Sequence, residues 1–503
     1  MVVVIGAGFA GLSAASFMAK AGWEVHVIEK HATPGGRARQ LVENGFVFDM
    51  GPSWYWMSDV FERYFKSFGK TLSDYYALLR LDPSYRIYWD DEAIDLSADI
   101  NKLQQMFEHI EAGAGKKLSA FLKEAAYKYK VGMQKLVFKP GRSFTEFLDW
   151  DVITGVFKLD VFTSMKSHVE KYFNHPRLRQ ILEFPVLFLG ALPEKTPALY
   201  SLMNYADMIG GTWYPYGGMY SIVKAMHQVA IELGVHFHFD EEVTKIAVGN
   251  GIANAVHTKT TGTKQENKNS VTSTIKEYKP DIVIGAADYH FIESVLLPGK
   301  SSTYSEKYWE QRTMAPSCLL YYVGLNKRLK NLLHHSLFFD VPFERHAEEI
   351  YTTNKWPVNP LFYVSATSVT DNTVAPPGCE NLFFLIPVAA GLKEDTDELR
   401  DKYFDLIIER MEKQTGQSIK DAIIYKKSFS SRDFIQEYNS FKGNAYGLAN
   451  TLMQTAIFKP SCRSKKVSNL FYAGQLTVPG PGVPPSLISG EVVANEVLKY
   501  YNN

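Results

Sequence analysis

The first thirty residues limit what this chain can fold into more than any other part of it. They contain, in order, an apolar β-branched run at 2–5, three closely spaced glycines (Gly6, Gly8 and Gly11), a stretch of small and apolar residues at 9–20, a second apolar run at 25–28, and Glu29. Strand, glycine turn, helix, strand and acidic residue have the order and spacing of a dinucleotide-binding βαβ unit. The sequence therefore predicts an α/β fold that begins with a Rossmann-like unit.

Each residue of this motif has its own expected task. Gly6 forms the tight turn, Gly8 lets a pyrophosphate approach the backbone, and Gly11 permits close packing of the helix on the strand. The helix N-terminus offers N–H groups and a partial positive charge to the pyrophosphate. Glu29 is expected to accept hydrogen bonds from the adenosine ribose. The motif alone does not distinguish FAD from NAD.

Two further motifs follow the βαβ unit. A glycine- and arginine-containing turn at 33–39 and a strand that runs into a tight turn at 46–53 supply six more candidate cofactor-binding residues: Gly36, Arg37, Arg39, Gly51, Pro52 and Ser53. Together with the glycine motif, these segments resemble the N-terminus of the flavin-dependent amine oxidase superfamily. The form Gly-Phe-x-Phe-Asp-x-Gly-Pro at 45–52 is most similar to its bacterial-type carotenoid (phytoene) desaturase branch.

The resemblance extends from residue 2 to about residue 499 and implies a fold built from interrupted domains. It implies a discontinuous Rossmann-like domain that binds FAD noncovalently, an inserted α+β substrate domain, and a helical region that contacts a membrane. The expected boundaries are an FAD-binding part at 1–100, the helical substrate or membrane region at 101–205, a second FAD-binding part at 206–288, the substrate domain at 289–440 and a third FAD-binding part at 441–503.

The resemblance also implies cofactor contacts beyond the N-terminus. The backbone of Val243 is expected to contact adenine, within a sheet that continues after a polar surface hairpin. Gly474, Gly482 and Val483 are expected beside the flavin ring, where a C-terminal helix begins and directs its positive end at the ring. Gln475 stands where amine oxidases typically have Asp, which weakens an amine oxidase reading.

Charge and hydropathy narrow the choice of partners. Lys and Arg number 54, as do Asp and Glu, so the formal net charge is zero and nucleic acid is not expected as a partner. No apolar stretch reaches the ~18 residues that predict a spanning helix. The long hydrocarbon substrate that the resemblance implies would stay in lipid, so we expect a cytoplasmic protein, peripheral on the inner face of the cell membrane. The membrane contact is expected in the region 161–205, with Phe184, Leu187 and Phe188 facing lipid.

Histidine and cysteine patterns give no metal site at this stage. The three cysteines are far apart and form no C-x-x-C pair, so neither a disulfide framework nor a zinc site is indicated. His236 and His238 alternate along a predicted strand, but no other ligand lies near them in sequence, which favours a structural role. His334 and His335 are interpreted as a solvated loop pair.

The resemblance implies a FAD-dependent oxidoreductase that acts on CH–CH groups. It would remove hydrogen from saturated bonds beside a polyene, converting phytoene toward lycopene by hydride transfer to flavin, with oxygen or a quinone as the acceptor. A long polyene hydrocarbon needs an apolar tunnel. Arg179 is the candidate catalytic residue and equally an ordinary ion-pair arginine. Residues 54–56 are candidate aromatic walls of the substrate site.

The alternative functions are a FAD-dependent carotenoid isomerase, a carotenoid-binding protein without turnover, or a desaturase of diapophytoene or a hydroxylated carotenoid.

Overall fold

The strands of the molecule are grouped into two main sheets and three smaller ones. The computed structural model describes residues 1–143, 146, 159–187, 190–260 and 274–501. Numbered in chain order, its strands are β1 (Val2–Ile5), β2 (Val25–Ile28), β3 (Gln40–Glu43), β4 (Phe46–Asp49), β5 (Leu78–Arg80), β6 (Tyr85–Tyr88), β7 (Ala93–Leu96), β8 (Trp213–Pro215), β9 (His236–His238), β10 (Glu241–Gly249), β11 (Ile252–Thr260), β12 (Ile275–Tyr278), β13 (Ile282–Gly285), β14 (Ser317–Leu325), β15 (His335–Phe338), β16 (Phe362–Ser365), β17 (Glu380–Val388), β18 (Ile423–Phe429) and β19 (Leu470–Tyr472).

Helices cover the sheets and connect them. Numbered in the same way, they are α1 (Phe9–Lys20), α2 (Ser58–Lys66), α3 (Ile100–Ile110), α4 (Ala114–Val131), α5 (Met165–Glu170), α6 (Pro176–Leu187), α7 (Leu202–Met208), α8 (Tyr220–Glu232), α9 (Tyr289–Phe291), α10 (Glu306–Glu310), α11 (Phe343–Tyr351), α12 (Asp397–Thr415), α13 (Ser431–Tyr438) and α14 (Val483–Tyr501). In this part of the chain, no helix has both the length and the apolar character needed to cross a bilayer.

The first main sheet is parallel and is assembled from distant parts of the sequence. Its strand order is β19-β13-β1-β2-β9, and every neighbouring pair runs parallel. The central strand β1 is buried along its whole length, as expected for a strand covered on both faces. The predicted Rossmann-like α/β fold is thus confirmed, and its strands come from three separated parts of the chain.

The second main sheet is mixed and has the order β18-β14-β17-β16-β15-β6-β7. Strands β6 and β7 belong to it because β6 pairs in parallel with β15, Ser336 opposite Arg86. Residues 85–96 were expected in the FAD-binding part at 1–100, but their backbone hydrogen bonds join them to this second sheet, whose other strands lie between residues 317 and 429.

Close contact between α1 and α14 holds the two ends of the nucleotide-binding unit together. A Cβ on Gly490 of α14 would overlap the carbonyl oxygen of Ala10 in α1. A Cβ on Gly11 would in the same way overlap the carbonyl oxygen of Gly6. Glycine is therefore needed at both positions for the helices and the first strand to pack at this distance.

Asp49, the acidic residue of the Gly-Phe-x-Phe-Asp-x-Gly-Pro motif, connects β4 to the N-terminus of α8. Its carboxylate accepts hydrogen bonds from the backbone N–H groups of Met219 (2.7 Å) and Tyr220 (3.1 Å). Burial raises the pKa of Asp49 to about 7. The motif thus has a structural role, because it satisfies N–H groups that a helix start leaves without intrahelical partners.

Candidate functional site

A cavity of about 380 Å³ lies at the carboxyl ends of the parallel strands. It is lined by residues that directly follow β1, β2, β13 and β19, and by the first residues of α1 and α14. This edge of an open parallel sheet is where such folds bind their ligands. Two helix N-termini therefore face one cavity, which favours a ligand with negative charge.

Most of the candidate cofactor residues meet around this cavity although they are far apart in sequence. Those that line it are Gly6, Gly8, Glu29, Gly36, Arg37, Gly51, Pro52, Ser53, Val243, Gly474, Gly482 and Val483. An added Cβ on Gly8 would meet no atom within 4 Å, so this backbone stays open to a ligand. The proposed pyrophosphate contact at Gly8 is therefore sterically accessible.

Gly11 and Arg39 support the cavity from behind rather than lining it. Gly11 packs α1 against the first turn, as described above. The Arg39 guanidinium donates to a Glu437 carboxylate oxygen at 2.8 Å and lies over the Tyr438 ring, 5.4 Å from its centroid. Because Glu437 and Tyr438 line the cavity, Arg39 positions two residues of α13 that the motif reading did not include.

Glu29 is fixed by the backbone on both of its carboxylate oxygens. The N–H of Ala7 donates to one oxygen at 2.8 Å, and the N–H of His31 donates to the other at 3.0 Å. Burial raises the pKa of Glu29 despite these two donors. Each oxygen retains a second lone pair, so the carboxylate can still accept a hydrogen bond from a ribose hydroxyl in the cavity.

A ring of hydrogen-bonded polar residues borders one part of the cavity. Arg37 donates to the Ser440 hydroxyl at 2.9 Å and to the Asn444 carbonyl at 3.2 Å, and it lies over the Tyr438 ring. The side-chain amides of Gln475 and Asn444 are 2.8 Å apart. Gln475, at the position where amine oxidases have Asp, therefore belongs to this hydrogen-bonded ring and also lines the cavity.

A second, smaller cavity adjoins the first and has an apolar wall. The two cavities share Tyr363, Leu385 and Tyr446, and the lining of the second one is otherwise Phe184, Pro316, Leu337, Phe339, Phe343, His346, Ala347, Ile350, Tyr351, Leu361, Phe362 and Pro387. His346 offers it no free nitrogen, since its ring is bonded to the Pro387 carbonyl and to the Leu361 N–H. This cavity therefore suits an apolar ligand.

Phe184 does not face lipid as the sequence predicted. Its side chain is 1% exposed and lines the apolar cavity. The side chain of Leu187, together with Phe188, lies outside the described residues. The helical region 161–205 thus supplies a wall of the interior, through α6.

A buried aromatic cluster at the junction of the cavities was missed by the sequence reading. His334 and His335, interpreted as a solvated pair, are 4% and 0% exposed. The His335 ring stacks on Trp54 with centroids 4.2 Å apart, and its Nδ1 is 2.6 Å from the Tyr363 hydroxyl. Burial holds the pKa of His335 well below its ordinary value. The local sequence gave little signal of this cluster, because the partners of β15 come from β16 and from residue 54.

The three aromatic residues at 54–56 have different surroundings. Trp54 and Trp56 line the main cavity, as expected for aromatic walls. Tyr55 is in the core, where its hydroxyl lies 3.0 Å from that of Tyr76.

Arg179 does not line either cavity. Its guanidinium donates to the carbonyl of Phe173 at 2.8 Å and to a Glu170 oxygen at 3.4 Å, linking α5 to α6. These contacts are those of an ion-pair arginine, the second of its two expected roles, and the catalytic role of Arg179 stays a prediction.

Comparison with known proteins now identifies the family. Residues 9–498 match the family described as Flavin containing amine oxidoreductase. The chain belongs to this family. A carotenoid 3,4-desaturase of Haloarcula japonica is 40% identical over 502 residues, covering 99% of this chain and 98% of that protein. A zeta-carotene-forming phytoene desaturase of Myxococcus xanthus is 31% identical over 506 residues, covering 99% and 94%.

Solved structures agree with this family fold. An oxidoreductase from Methanosarcina mazei superimposes with a TM-score of 0.62 at 16% identity, covering 98% of this chain and 99% of the other. Putrescine oxidase bound to putrescine gives 0.62 at 13% identity, covering 99% and 98%. These similarities concern the fold. Membership of the flavin family confirms FAD as the cofactor predicted from the motifs.

The cavity fits FAD residue by residue. Glu29 and the open backbone at Gly8 suit the adenosine and pyrophosphate, and an added Cβ on Gly36 would lie 3.4 Å from the Gly8 Cα, so this second glycine turn closes over the first. The Arg37 Nε is buried without a hydrogen-bond partner, and a bound ligand would supply one. Gly474 and Gly482, both with positive φ, form the turn that leads into α14 at the opposite end.

Replacing Glu29 by Ala should weaken FAD binding. Loss of a hydrogen bond to a charged group corresponds to about 1.5–3 kcal/mol, or roughly a 10- to 100-fold higher Kd. The measurement is flavin fluorescence titration of the apoprotein. Glu43→Ala, which removes an exposed carboxylate from β3, is the matched control and should leave the Kd unchanged. An unaltered Kd for Glu29→Ala would exclude Glu29 from ribose binding.

Proposed function

We propose that this protein is a FAD-dependent carotenoid desaturase, which converts C–C single bonds beside a conjugated chain into double bonds. The observation that carries the proposal is the apolar cavity that adjoins the FAD cavity and shares Tyr363, Leu385 and Tyr446 with it. An acyclic hydrocarbon has no heteroatom to be recognised, so shape and apolar contact must hold it. Such a wall beside a redox cofactor suits this substrate class better than an amine.

The relatives support the same reaction and narrow the substrate. Identity over nearly the full length is 40% to a carotenoid 3,4-desaturase, 31% to a phytoene desaturase and 28% to a 4,4'-diapophytoene desaturase of Staphylococcus aureus. The highest of these values favours desaturation of a carotenoid at its 3,4 position, the reaction that the name of that relative gives. The reaction class, removal of hydrogen from CH–CH groups, is common to all three names.

Desaturation removes a hydride and a proton from neighbouring carbons. When bound, FAD supplies the hydride acceptor. The protein must then provide an acceptor for the proton at the junction of the cavities, and the Tyr363 hydroxyl lies there. We propose that the Tyr363 oxygen takes the substrate proton while its own proton moves to Nδ1 of His335, 2.6 Å away.

The surroundings of His335 suit this role. Its low pKa keeps the ring neutral, so with the proton on Nε2 the Nδ1 atom is free to accept another. Trp54 is stacked face to face on the ring, at 4.2 Å and 12°. An aromatic face stabilises an adjacent cation by about 2 kcal/mol when the pair is desolvated. The stacked Trp54 would thus stabilise the imidazolium formed by proton transfer.

The FAD-loaded protein should be reduced by its substrate without oxygen. We expect loss of flavin absorbance when anaerobic protein is mixed with liposomes containing lycopene or phytoene, and a red-shifted pigment after turnover. The carotenoid that bleaches the flavin faster would be identified as the preferred substrate. Subsequent addition of oxygen or of a quinone should restore the absorbance and show which one serves as the acceptor.

An isomerase or a binding protein would give a different result in this assay. Either would leave the flavin oxidised while the polyene bound or changed its geometry. Pigment isomerisation without bleaching, or neither change with any carotenoid, would contradict the desaturase assignment.

Tyr363→Phe should slow flavin reduction by about 100-fold, the lower range for loss of an acid–base group. FAD affinity should be unchanged, because the substitution removes only the hydroxyl. The matched control is Tyr55→Phe, which deletes a buried tyrosine hydroxyl outside both cavities. Equal anaerobic bleaching rates for the two variants would exclude Tyr363 from proton transfer.

We propose a membrane contact at two exposed apolar side chains near the turn that precedes α7. Phe162 is 82% exposed and Met453 is 64% exposed. Their segments meet the same turn, since Ala198 donates its N–H to the Thr163 carbonyl and Tyr200 is hydrogen-bonded to Thr455. That turn leads into α7, whose Met203 lines the FAD cavity. An insoluble substrate could thus pass from lipid toward the site.

The double variant Phe162→Asp, Met453→Asp should bind liposomes less than the wild type in a flotation assay. Each buried methylene contributes about 0.8 kcal/mol to lipid partition, so losing two large apolar side chains should shift most of the protein to the unbound fraction. Val358→Asp, at another exposed apolar position, is the control. Equal flotation of all three proteins, with FAD retained, would place the membrane contact elsewhere.

A further inference from the structure

Three histidines and a glutamate meet at the outer edge of the parallel sheet, away from the FAD cavity. Edge strand β9 pairs with β2 so that His236 lies opposite His26. The rings of His26 and His236 are stacked with centroids 4.9 Å apart. The ring of His238 is also stacked with that of His26, with centroids 5.2 Å apart. Glu24, which immediately precedes β2, approaches His26 from solvent. The sequence pattern had singled out only His236 and His238, the two histidines of β9.

The donor atoms lie close enough together for one metal ion to gather them. One carboxylate oxygen of Glu24 and one ring nitrogen each of His26 and His236 all lie within 4.8 Å of one another. In a tetrahedral zinc site with metal–ligand distances of about 2.0–2.2 Å, ligand atoms are separated by about 3.3–3.6 Å, so the side chains must close in by about 1 Å. The Glu24 side chain is 61% exposed, so it can turn to make this small adjustment.

His238 contacts His26 and would orient its ring without binding the metal itself. Nδ1 of His26 is 2.9 Å from Nε2 of His238, and Nε2 of His26 is 3.1 Å from Glu24. If Nε2 of His26 binds a metal, its Nδ1–H donates to His238. Metal-binding histidines almost always have such an acceptor for their other nitrogen, which fixes the tautomer.

We propose that Glu24, His26 and His236 form a binding site for a divalent metal ion of the Zn²⁺ type, with His238 orienting His26. Two imidazoles and one carboxylate are ligands that Zn²⁺ accepts, with a solvent molecule at the open position. The ion would join β2 to β9. Since β9 has only three residues and β10 follows it to the adenine end of the cavity, the bound ion would stabilise this edge.

A second group of ligand types in the molecule does not support the same proposal. Glu124, Asp160 and His168 also lie close together. There the Lys128 ammonium group is already 2.9 Å from Asp160 and 3.3 Å from His168. The position between these side chains is occupied by an internal cation, whereas the described neighbours of the Glu24–His26–His236 site place no ammonium group between its ligands.

The test is Zn²⁺ titration of the tag-free, FAD-loaded protein by calorimetry, with thermal unfolding as a second readout. We expect one equivalent of Zn²⁺ to bind and to raise Tm, because an ion that binds only the folded state stabilises it. Glu24→Ala and His236→Ala should each lower the association constant by at least about tenfold, and His238→Ala by a comparable factor. Titration with Co²⁺ should give visible absorption without a thiolate charge-transfer band.

His257→Ala is the matched control, since it removes a histidine that lies 3.8 Å from the carboxylate of Glu277 without a third ligand. It should bind Zn²⁺ as the wild type does. Wild-type and Glu24→Ala proteins that bind Zn²⁺ equally, or a wild type that binds none, would overturn the proposal. Because Glu24 is exposed, its replacement keeps this test valid even if His236→Ala fails to fold.

Discussion

The close packing of two helices on one strand is the constraint on which the rest of the site depends. Gly11 brings α1 against the first turn, and Gly490 lets α14 reach the α1 backbone. Larger residues at these positions would push the helices apart. Because the helices are held together near their starts, both N-termini face the same cavity, and their partial positive charges act on the same ligand.

The two cavities differ in polarity because different parts of the chain line them. The larger one includes Glu29 and Arg37, from segments that the motifs assign to cofactor binding. The apolar one is lined by the mixed sheet and by α6 and α11. Tyr322 and Asn381 tie that sheet to β4 and the following turn, through hydrogen bonds to the carbonyls of Met50 and Val47. The two cavities are thus fixed relative to each other.

Buried polar side chains lie at the junction of the two cavities. His335 and Tyr363 share a hydrogen bond, and Trp54 covers the imidazole face. In such a low-dielectric setting, a short hydrogen bond can direct a proton to one atom, and an aromatic face can stabilise the cation that results. The same surroundings exclude water from a hydrocarbon substrate.

The sequence by itself determined the dinucleotide-binding unit, the flavin family and a set of candidate cofactor residues that all line the cavity except Gly11 and Arg39. It could do so because glycine turns and the strand that precedes them act through backbone geometry over short distances. Tertiary structure alone decided what depends on distant pairing. Residues 85–96 pair with the second sheet, and the side chains of Phe184 and His335 are buried. Glu24 and His26 lie close to His236. Local sequence does not predict these contacts, because each joins strands or helices that are distant in sequence and meet only in the folded sheets.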